Sequence, residues 1–198
     1  MIVKVPNPVL FQKAKPVGRI DKKIERIIKD LKTTLLAAKN PKGVGLAAPQ
    51  IGISLNIFIT RSRESNPIRV FINPEILWKS EELVEIQRET KTHHPKENLP
   101  ALPAGRHGGR QEKLEGCLSI DNVWGHLKRP AKVRLRFMDQ KGQIRQEEFS
   151  GFMATIVQHE ADHLDGILFT KRVLEQKEKL YLIEKGEKGK ETLIEIKI

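Results

Sequence analysis

The stretch SGFMATIVQHEADHLDG, residues 150–166, carries a helix signal and a metal-site signal together. Ser150 is suited to begin a helix, and Gly166 is suited to follow its last turn in the left-handed conformation. His159 and His163 are four residues apart, so on a helix both imidazoles share one face. We therefore predict a helix that holds two metal ligands at the centre of the fold.

Glu160 follows the first histidine and completes an HExxH pattern. It lies one position round the helix from His159, which suits it to contact a water on the metal better than the metal itself. Two histidines on an ordinary surface helix would give the same letters. A third ligand from elsewhere in the chain has to decide between these interpretations.

Downstream candidates for the third ligand are weak. A metzincin needs a histidine where Phe169 stands, so that class is excluded. A gluzincin would use a later glutamate such as Glu178 or Glu184, but both lie in a charged stretch that leads into a predicted strand. The histidines outside the helix lie in polar segments, at positions 93, 94, 107 and 126.

Cys117 is the only cysteine and lies in the segment EGCLS, residues 115–119. A single cysteine forms no internal disulfide and is often just a small buried side chain. A thiolate is also a strong ligand for zinc or ferrous iron, and it would complete a Cys-His-His site with one open position.

The composition describes a globular chain of 198 residues, with 38% hydrophobic and 31% charged residues. This length suits one domain, residues 1–198, and no apolar run approaches the ~18 residues of a membrane span. The N-terminus has no recognisable targeting segment, so we predict a cytoplasmic protein without a membrane partner.

The positive charge is concentrated near the N-terminus. The net charge is +11, and residues 1–42 contain eleven Lys and Arg against three acidic residues. Such a region suggests association with RNA or the ribosome, whereas a solvated basic helix face explains it equally well.

The hydrophobic patterns predict an α+β fold, with mixed or antiparallel sheets around the central metal-binding helix. Residues 20–38 have the spacing of an N-terminal amphipathic helix, and residues 54–60, 70–77 and 132–139 are typical of strands. We expect residues 81–113 to form a long inserted loop. Residues 171–198 are expected to form a C-terminal extension that ends in a hairpin.

Three segments resemble the signature motifs of peptide deformylases, in the order of that family. They are GVGLAAPQ (43–50), EGCLS (115–119) and HEADHLDG (159–166), and the similarity covers most of residues 3–170. The resemblance implies a hydrolase that removes the formyl group from the N-terminal formyl-methionine of newly made peptides and releases formate. It also implies that Cys117, His159 and His163 bind Fe²⁺ in the cell, with Zn²⁺ or another divalent ion an alternative in purified protein.

The resemblance further implies the roles of the catalytic groups. A metal-bound water is the nucleophile, and Glu160 acts first as general base and then as general acid. The side chain of Gln50 and the backbone N–H of Leu118 stabilise the oxyanion. Substrate-binding candidates follow from the motifs and from helical spacing near His159: Gly43, Val44, Gly45, Glu115, Gly116, Phe152 and Ile156.

Some positions depart from the family pattern or leave alternatives open. Asp121 stands where proline is usual, and Trp124 stands where some members have an arginine that holds the substrate backbone. Gln158 and Asp162 are interpreted either as groups that orient the histidines or as an exposed polar face. The alternative functions are an HExxH metallopeptidase and a basic, non-catalytic RNA- or ribosome-associated module.

Overall fold

The computed structural model describes residues 1–39, 41–86, 114–185 and 191–197. Its helices are α1 (Lys22–Ala37), α2 (Gly151–Leu164) and α3 (Phe169–Glu175), with 3-10 helices at Pro8–Phe11 and Ala48–Ile51. The strands are β1 (Gly45–Ala47), β2 (Ile57–Thr60), β3 (Arg69–Lys79), β4 (Leu83–Glu85), β5 (Glu115–Cys117), β6 (Ile120–Gly125), β7 (Lys128–Pro130), β8 (Lys132–Met138), β9 (Ile144–Ser150), β10 (Leu180–Lys185) and β11 (Glu191–Glu195).

The strands form three sheets, and each pairing between them is antiparallel. A five-stranded sheet has the order β1-β2-β3-β8-β9, and a four-stranded sheet has the order β11-β10-β6-β5. Strands β4 and β7 make a separate pair. The fold is therefore α+β as predicted, and its sheets are antiparallel rather than mixed.

The five-stranded sheet is covered on both faces, because alternate side chains of a strand point to opposite sides. One face packs against α1 through Ile57, Ile59, Val70 and Ile72. The other face packs against α2 through Phe58, Phe71, Val133 and Leu135. This arrangement explains why IFIT of β2 is a continuous buried run and does not alternate in polarity.

Helix α1 has the features that the sequence predicts. Asp21 accepts hydrogen bonds from the backbone N–H groups of Lys23 and Ile24 and so caps the first turn. Its buried face carries apolar residues at helical spacing, with Leu31 fully enclosed. The opposite, basic face is exposed, and no helix in the described parts of the chain is long and apolar enough to cross a bilayer.

Two predicted boundaries were wrong. Residues 83–85, at the start of the predicted loop 81–113, form β4 and pair with β7 at Lys128–Pro130; residues 87–113 lie outside the described part of the chain. The predicted extension 171–198 begins within α3. Its predicted hairpin is confirmed by the antiparallel pair β10–β11, but β10 also pairs with β6 in the sheet that contains Cys117. Both errors have the same cause, because pairing partners about 45–60 residues away leave no local pattern.

Candidate active site

Helix α2 packs against the five-stranded sheet and presents its other side to β5 of the four-stranded sheet. Gly166 follows the helix with a φ of +70°, and a Cβ there would lie 2.6 Å from the backbone carbon of Phe11. Only glycine meets both conditions without strain. The residue predicted to end the helix therefore also lets the N-terminal segment pass close to it.

Cys117, His159 and His163 converge between the two sheets, and all three are buried. The Sγ of Cys117 lies 3.1 Å from Nε2 of His163, and one potential ligand atom from each residue lies within 4.8 Å of the others. Among the described residues this is the one such group of His, Cys, Asp or Glu side chains.

The cluster fits a tetrahedral metal ion. Bonds of about 2.3 Å from sulfur and about 2.0 Å from nitrogen, at tetrahedral angles, place ligand atoms about 3.5 Å apart. Burial raises the pKa of the Cys117 thiol, but the imidazoles of His163 and His159 outweigh burial and lower it to about 5. The sulfur is therefore a thiolate at neutral pH, which is the form that binds metals.

His159 is oriented by Glu115, whose Oε1 accepts a hydrogen bond from Nδ1 at 2.7 Å. A proton held on Nδ1 leaves the lone pair of Nε2 directed at the metal position. Burial lowers the pKa of His159, but its hydrogen bonds to Cys117 and Glu115 raise it well above its usual value in the metal-free chain. A metal ion would compete with the second proton for Nε2.

Glu115 is itself held by Arg129, which donates two hydrogen bonds to its carboxylate at 2.9 and 2.7 Å. Burial raises the pKa of Glu115, but the charge of Arg129 outweighs it and keeps the carboxyl ionised. Glu115 was predicted to bind substrate. In the structure it is 4% exposed and its side chain is engaged by Arg129 and His159, so the carboxylate supports His159.

Glu160 is buried beside the cluster, and its Oε2 has no hydrogen-bond partner among the described residues. Burial raises the pKa of its carboxyl to about 7, against the opposing effect of the nearby imidazoles. A buried carboxylate oxygen without a donor is unfavourable, and a water or substrate group near the metal would satisfy it. This pKa suits a group that exchanges a proton near neutral pH.

Gly45 makes room for that carboxylate. A Cβ at this position would lie 2.2 Å from Oε1 of Glu160, and a Cβ at Gly43 would lie 2.6 Å from Cδ1 of Leu35. We predicted that these glycines let a peptide approach the backbone. The structure adds a different requirement, since the space beside each is filled by a side chain of the protein itself.

Gln50 is 1% exposed, and its amide is fixed in orientation. Oε1 accepts a hydrogen bond from the backbone N–H of Ala47 at 2.9 Å, so Nε2 must face the site. Nε2 donates to Sγ of Cys117 at 3.4 Å and to Oγ of Ser119 at 3.3 Å. Leu118 lies between Cys117 and Ser119 in the turn after β5, beside the same group of atoms.

The remaining candidates for substrate binding differ in exposure. Ile156 is 3% exposed, whereas Phe152 and Val44 are partly exposed. Gly116 faces Trp124 across the β5–β6 pair, and a Cβ on Gly116 would lie 2.8 Å from the indole ring. Trp124 therefore covers Gly116 from the neighbouring strand.

The structure gives defined contacts to three polar residues whose roles the sequence left undecided. Gln158 donates to the carbonyl oxygens of Pro130 and Ala154 at 3.0 and 2.9 Å, so it fastens α2 to β7. Asp162 accepts from Arg129 at 2.9 Å and from Arg172 at 2.8 Å. Asp121 forms an exposed ion pair with Lys4 at 2.5 Å. The surface-face interpretation of Gln158 and Asp162 was wrong, because both side chains are buried and bonded.

Arg129 is the site residue that the sequence did not reveal. It is 6% exposed and joins Glu115 of β5 to Asp162 of α2. A single arginine in LKRPAK has no period or spacing that marks it as buried. The available signal was the presence of two acidic residues, Glu115 and Asp162, close in sequence to the predicted ligands.

Comparison with known proteins identifies the family to which the chain belongs. The model of the polypeptide deformylase family matches residues 1–179. A peptide deformylase of Pseudothermotoga lettingae is 39% identical over 163 residues, covering 82% of this chain and 76% of the relative. Residues 180–198, which include β10 and β11, lie outside the family match.

Solved structures show the same fold. The peptide deformylase of Thermotoga maritima is 29% identical with a TM-score of 0.68, over 87% of this chain and 96% of that one. The one from Synechococcus elongatus, in complex with actinonin, is 31% identical with a TM-score of 0.69, over 87% and 78% of the two chains. These matches do not support a metallopeptidase or a non-catalytic module.

Proposed function

Because the chain belongs to the polypeptide deformylase family, we propose that it removes the N-terminal formyl group from formyl-methionine of newly synthesised peptides and releases formate. One observation carries this proposal. Cys117, His159 and His163 meet at one buried point beside the carboxylate of Glu160 and the amide of Gln50.

We propose that Cys117, His159 and His163 hold Fe²⁺ in the cell, and that Zn²⁺ occupies the site in some purified preparations. One thiolate and two imidazoles suit both ions, and neither ligand type selects strongly between them. When bound, such an ion acts as a Lewis acid that activates water near neutral pH.

Glu160 is the proposed general base. Its partnerless Oε2 is available to accept the proton of a water that attacks the formyl carbon. The same carboxyl then returns a proton to the leaving amine, which needs a group whose pKa lies close to the working pH. The pKa of about 7 meets that requirement.

Gln50 and the backbone N–H of Leu118 are the proposed donors to the oxyanion. One hydrogen on Nε2 of Gln50 makes only a 3.3 Å contact with Oγ of Ser119, so it can also bond a stronger acceptor placed beside it. Charge that develops on the formyl oxygen would be such an acceptor. Phe152, Ile156 and Val44 are proposed to bind the methionine side chain, with the backbone of Gly43, Gly45 and Gly116 beside the peptide.

Further proposals concern the chain as a whole. We propose one domain over residues 1–198, since β10 joins the sheet that contains β5 and β6. Contact with the ribosome through the basic N-terminal region and a cytoplasmic location stay predictions of the sequence.

The decisive experiment measures formate released from a formyl-Met peptide after anaerobic loading with Fe²⁺. The wild type should release formate, and Glu160→Gln should be slower by about 10²–10⁴-fold with its metal retained. Cys117→Ala should lose both metal and activity. Glu184→Ala is the matched control, because this exposed carboxylate on β10 would be a ligand only in a gluzincin.

No formate release by the loaded wild type would refute the proposal. Metal retained in Cys117→Ala and lost in Glu184→Ala would show a downstream carboxylate ligand in place of Cys117, as in a gluzincin.

A further inference from the structure

Arg172 lies on α3, outside the three signature motifs, yet its side chain reaches the same network as the metal ligands. Its Nε and Nη2 donate to Oδ1 of Asp162 at 3.2 and 2.8 Å. The second oxygen, Oδ2, accepts from Nη1 of Arg129 at 2.9 Å. Asp162 therefore divides its two oxygens between two arginines.

The chain of contacts continues inward without a gap. Arg129 uses Nε and Nη2 for Glu115, and the oxygen that accepts from Nη2 also accepts from Nδ1 of His159. Arg172, Asp162, Arg129 and Glu115 thus form an alternating series of positive and negative groups that ends on a proposed ligand. Each neighbour restrains the position of the next.

The outer end of the series is open to solvent. The side chain of Arg172 is 33% exposed, whereas that of Arg129 is 7% exposed. Arg129, Asp162 and Arg172 line a cleft whose lining includes none of the three proposed metal ligands. A substitution of Arg172 can therefore be accommodated without opening the core.

We propose that Arg172 is a positioning residue, which holds Asp162 so that Arg129 stays on Glu115 and Glu115 stays on Nδ1 of His159. Without Arg172, Oδ1 of Asp162 loses the donors described above. The carboxylate can then turn and compete with Glu115 for the guanidinium of Arg129. The imidazole of His159 is left less firmly oriented, and the affinity for the metal falls.

The inference rests on the proposed metal site, and the test uses Co²⁺ binding and not activity alone. Purified wild type and variants are titrated with Co²⁺ against a competing chelator, and the thiolate and d–d absorption bands are recorded. Arg172→Gln should weaken Co²⁺ binding about tenfold, the lower end of the usual effect of groups that support a ligand. Its absorption bands should shift, because the geometry at His159 changes.

Three comparisons separate positioning from a general effect on the fold. Glu175→Gln removes the other partner of Arg172 and should leave Co²⁺ affinity within twofold of wild type. Arg172→Lys keeps the positive charge but not the paired donors, so it should reduce Co²⁺ affinity less than Arg172→Gln does. In an Asp162→Asn background, Arg172→Gln should weaken Co²⁺ binding by less than a further twofold. The reason is that Arg172 is proposed to act on the metal site through the carboxylate of Asp162.

Unchanged Co²⁺ affinity and spectrum in Arg172→Gln would overturn the inference, whether or not the variant is less stable to urea. The inference would also be overturned if Arg172→Gln and Glu175→Gln reduced Co²⁺ affinity equally. It would be overturned as well if the effects of Arg172→Gln and Asp162→Asn on Co²⁺ affinity multiplied in the double variant. Failure of the wild type to bind Co²⁺ would instead contradict the proposed metal site.

Discussion

Gly45→Ala tests the geometry of Glu160 without changing any ligand. The new Cβ would lie 2.2 Å from Oε1, 2.7 Å from Cδ and 2.9 Å from Cγ of Glu160. To reach an ordinary contact of 3.4 Å, the oxygen must move by about 1.2 Å. Glu160 is 3% exposed, so the carboxylate has little space into which it can retreat.

A displacement of about 1 Å of a reacting group costs about 10²-fold in rate, or about 2.7 kcal/mol of transition-state stabilisation. We therefore expect the kcat of Gly45→Ala to fall about 100-fold or more. Metal affinity should stay within a few fold, because Cys117, His159 and His163 keep their supports. The assay is formate release at saturating formyl-Met peptide, with metal content measured on the same preparation.

Gly18→Ala is the matched control, since a Cβ there meets no atom within 4 Å. It should keep wild-type kcat and metal content. A Gly45→Ala enzyme whose kcat lies within threefold of wild type would refute the reasoning, because Glu160 would then work from a displaced position. A variant that loses its metal along with its activity would also refute it, since the clash would then act on the ligands.

Three further outcomes follow from the same contacts. Gln50→Ala should lower kcat by about 10²–10³-fold while metal is retained, and a change in KM alone would contradict a role at the oxyanion. Gly166→Ala should lower the free energy of unfolding in urea by at least about 1 kcal/mol relative to Gly18→Ala. The reason is that the φ of +70° at Gly166 and the nearby backbone of Phe11 both exclude a side chain. Equal urea midpoints for the two variants would argue against this strain. Removal of metal by a chelator should lower the melting temperature reversibly, since an ion at ~1,000 times its Kd adds about 4 kcal/mol to the free energy of unfolding. An unchanged melting temperature would argue that no ion stabilises the folded chain.

Local patterns predicted the elements whose residues repeat with a clear period. Helix α1 was expected at residues 20–38 and spans Lys22–Ala37, with its cap at Asp21. A strand was expected at residues 132–139, and β8 spans Lys132–Met138. Helix α3 was missed because seven residues make too few turns to show a period, although Phe169 and Val173 are four apart and buried.

The candidate ligands and base were available from the sequence because chemistry limits the choice. Two histidines four apart share a helix face in any fold, and the neighbouring glutamate faces the same region. One cysteine was present to complete the set. These inferences needed only residue types, helical geometry and the order of three motifs.

Only the tertiary structure could decide what surrounds them. The role of Glu115 changed from substrate contact to support of His159 because Arg129, fourteen residues away on β7, meets it. Gly45 and Glu160 are 115 positions apart, and their contact depends on α2 packing against β1. Helical and strand periods describe neighbours a few residues apart, whereas burial of a charge depends on partners that folding brings together from distant segments. The sequence by itself therefore identified the candidate ligands and the candidate base, and the packing of sheet against helix decided which groups contact them.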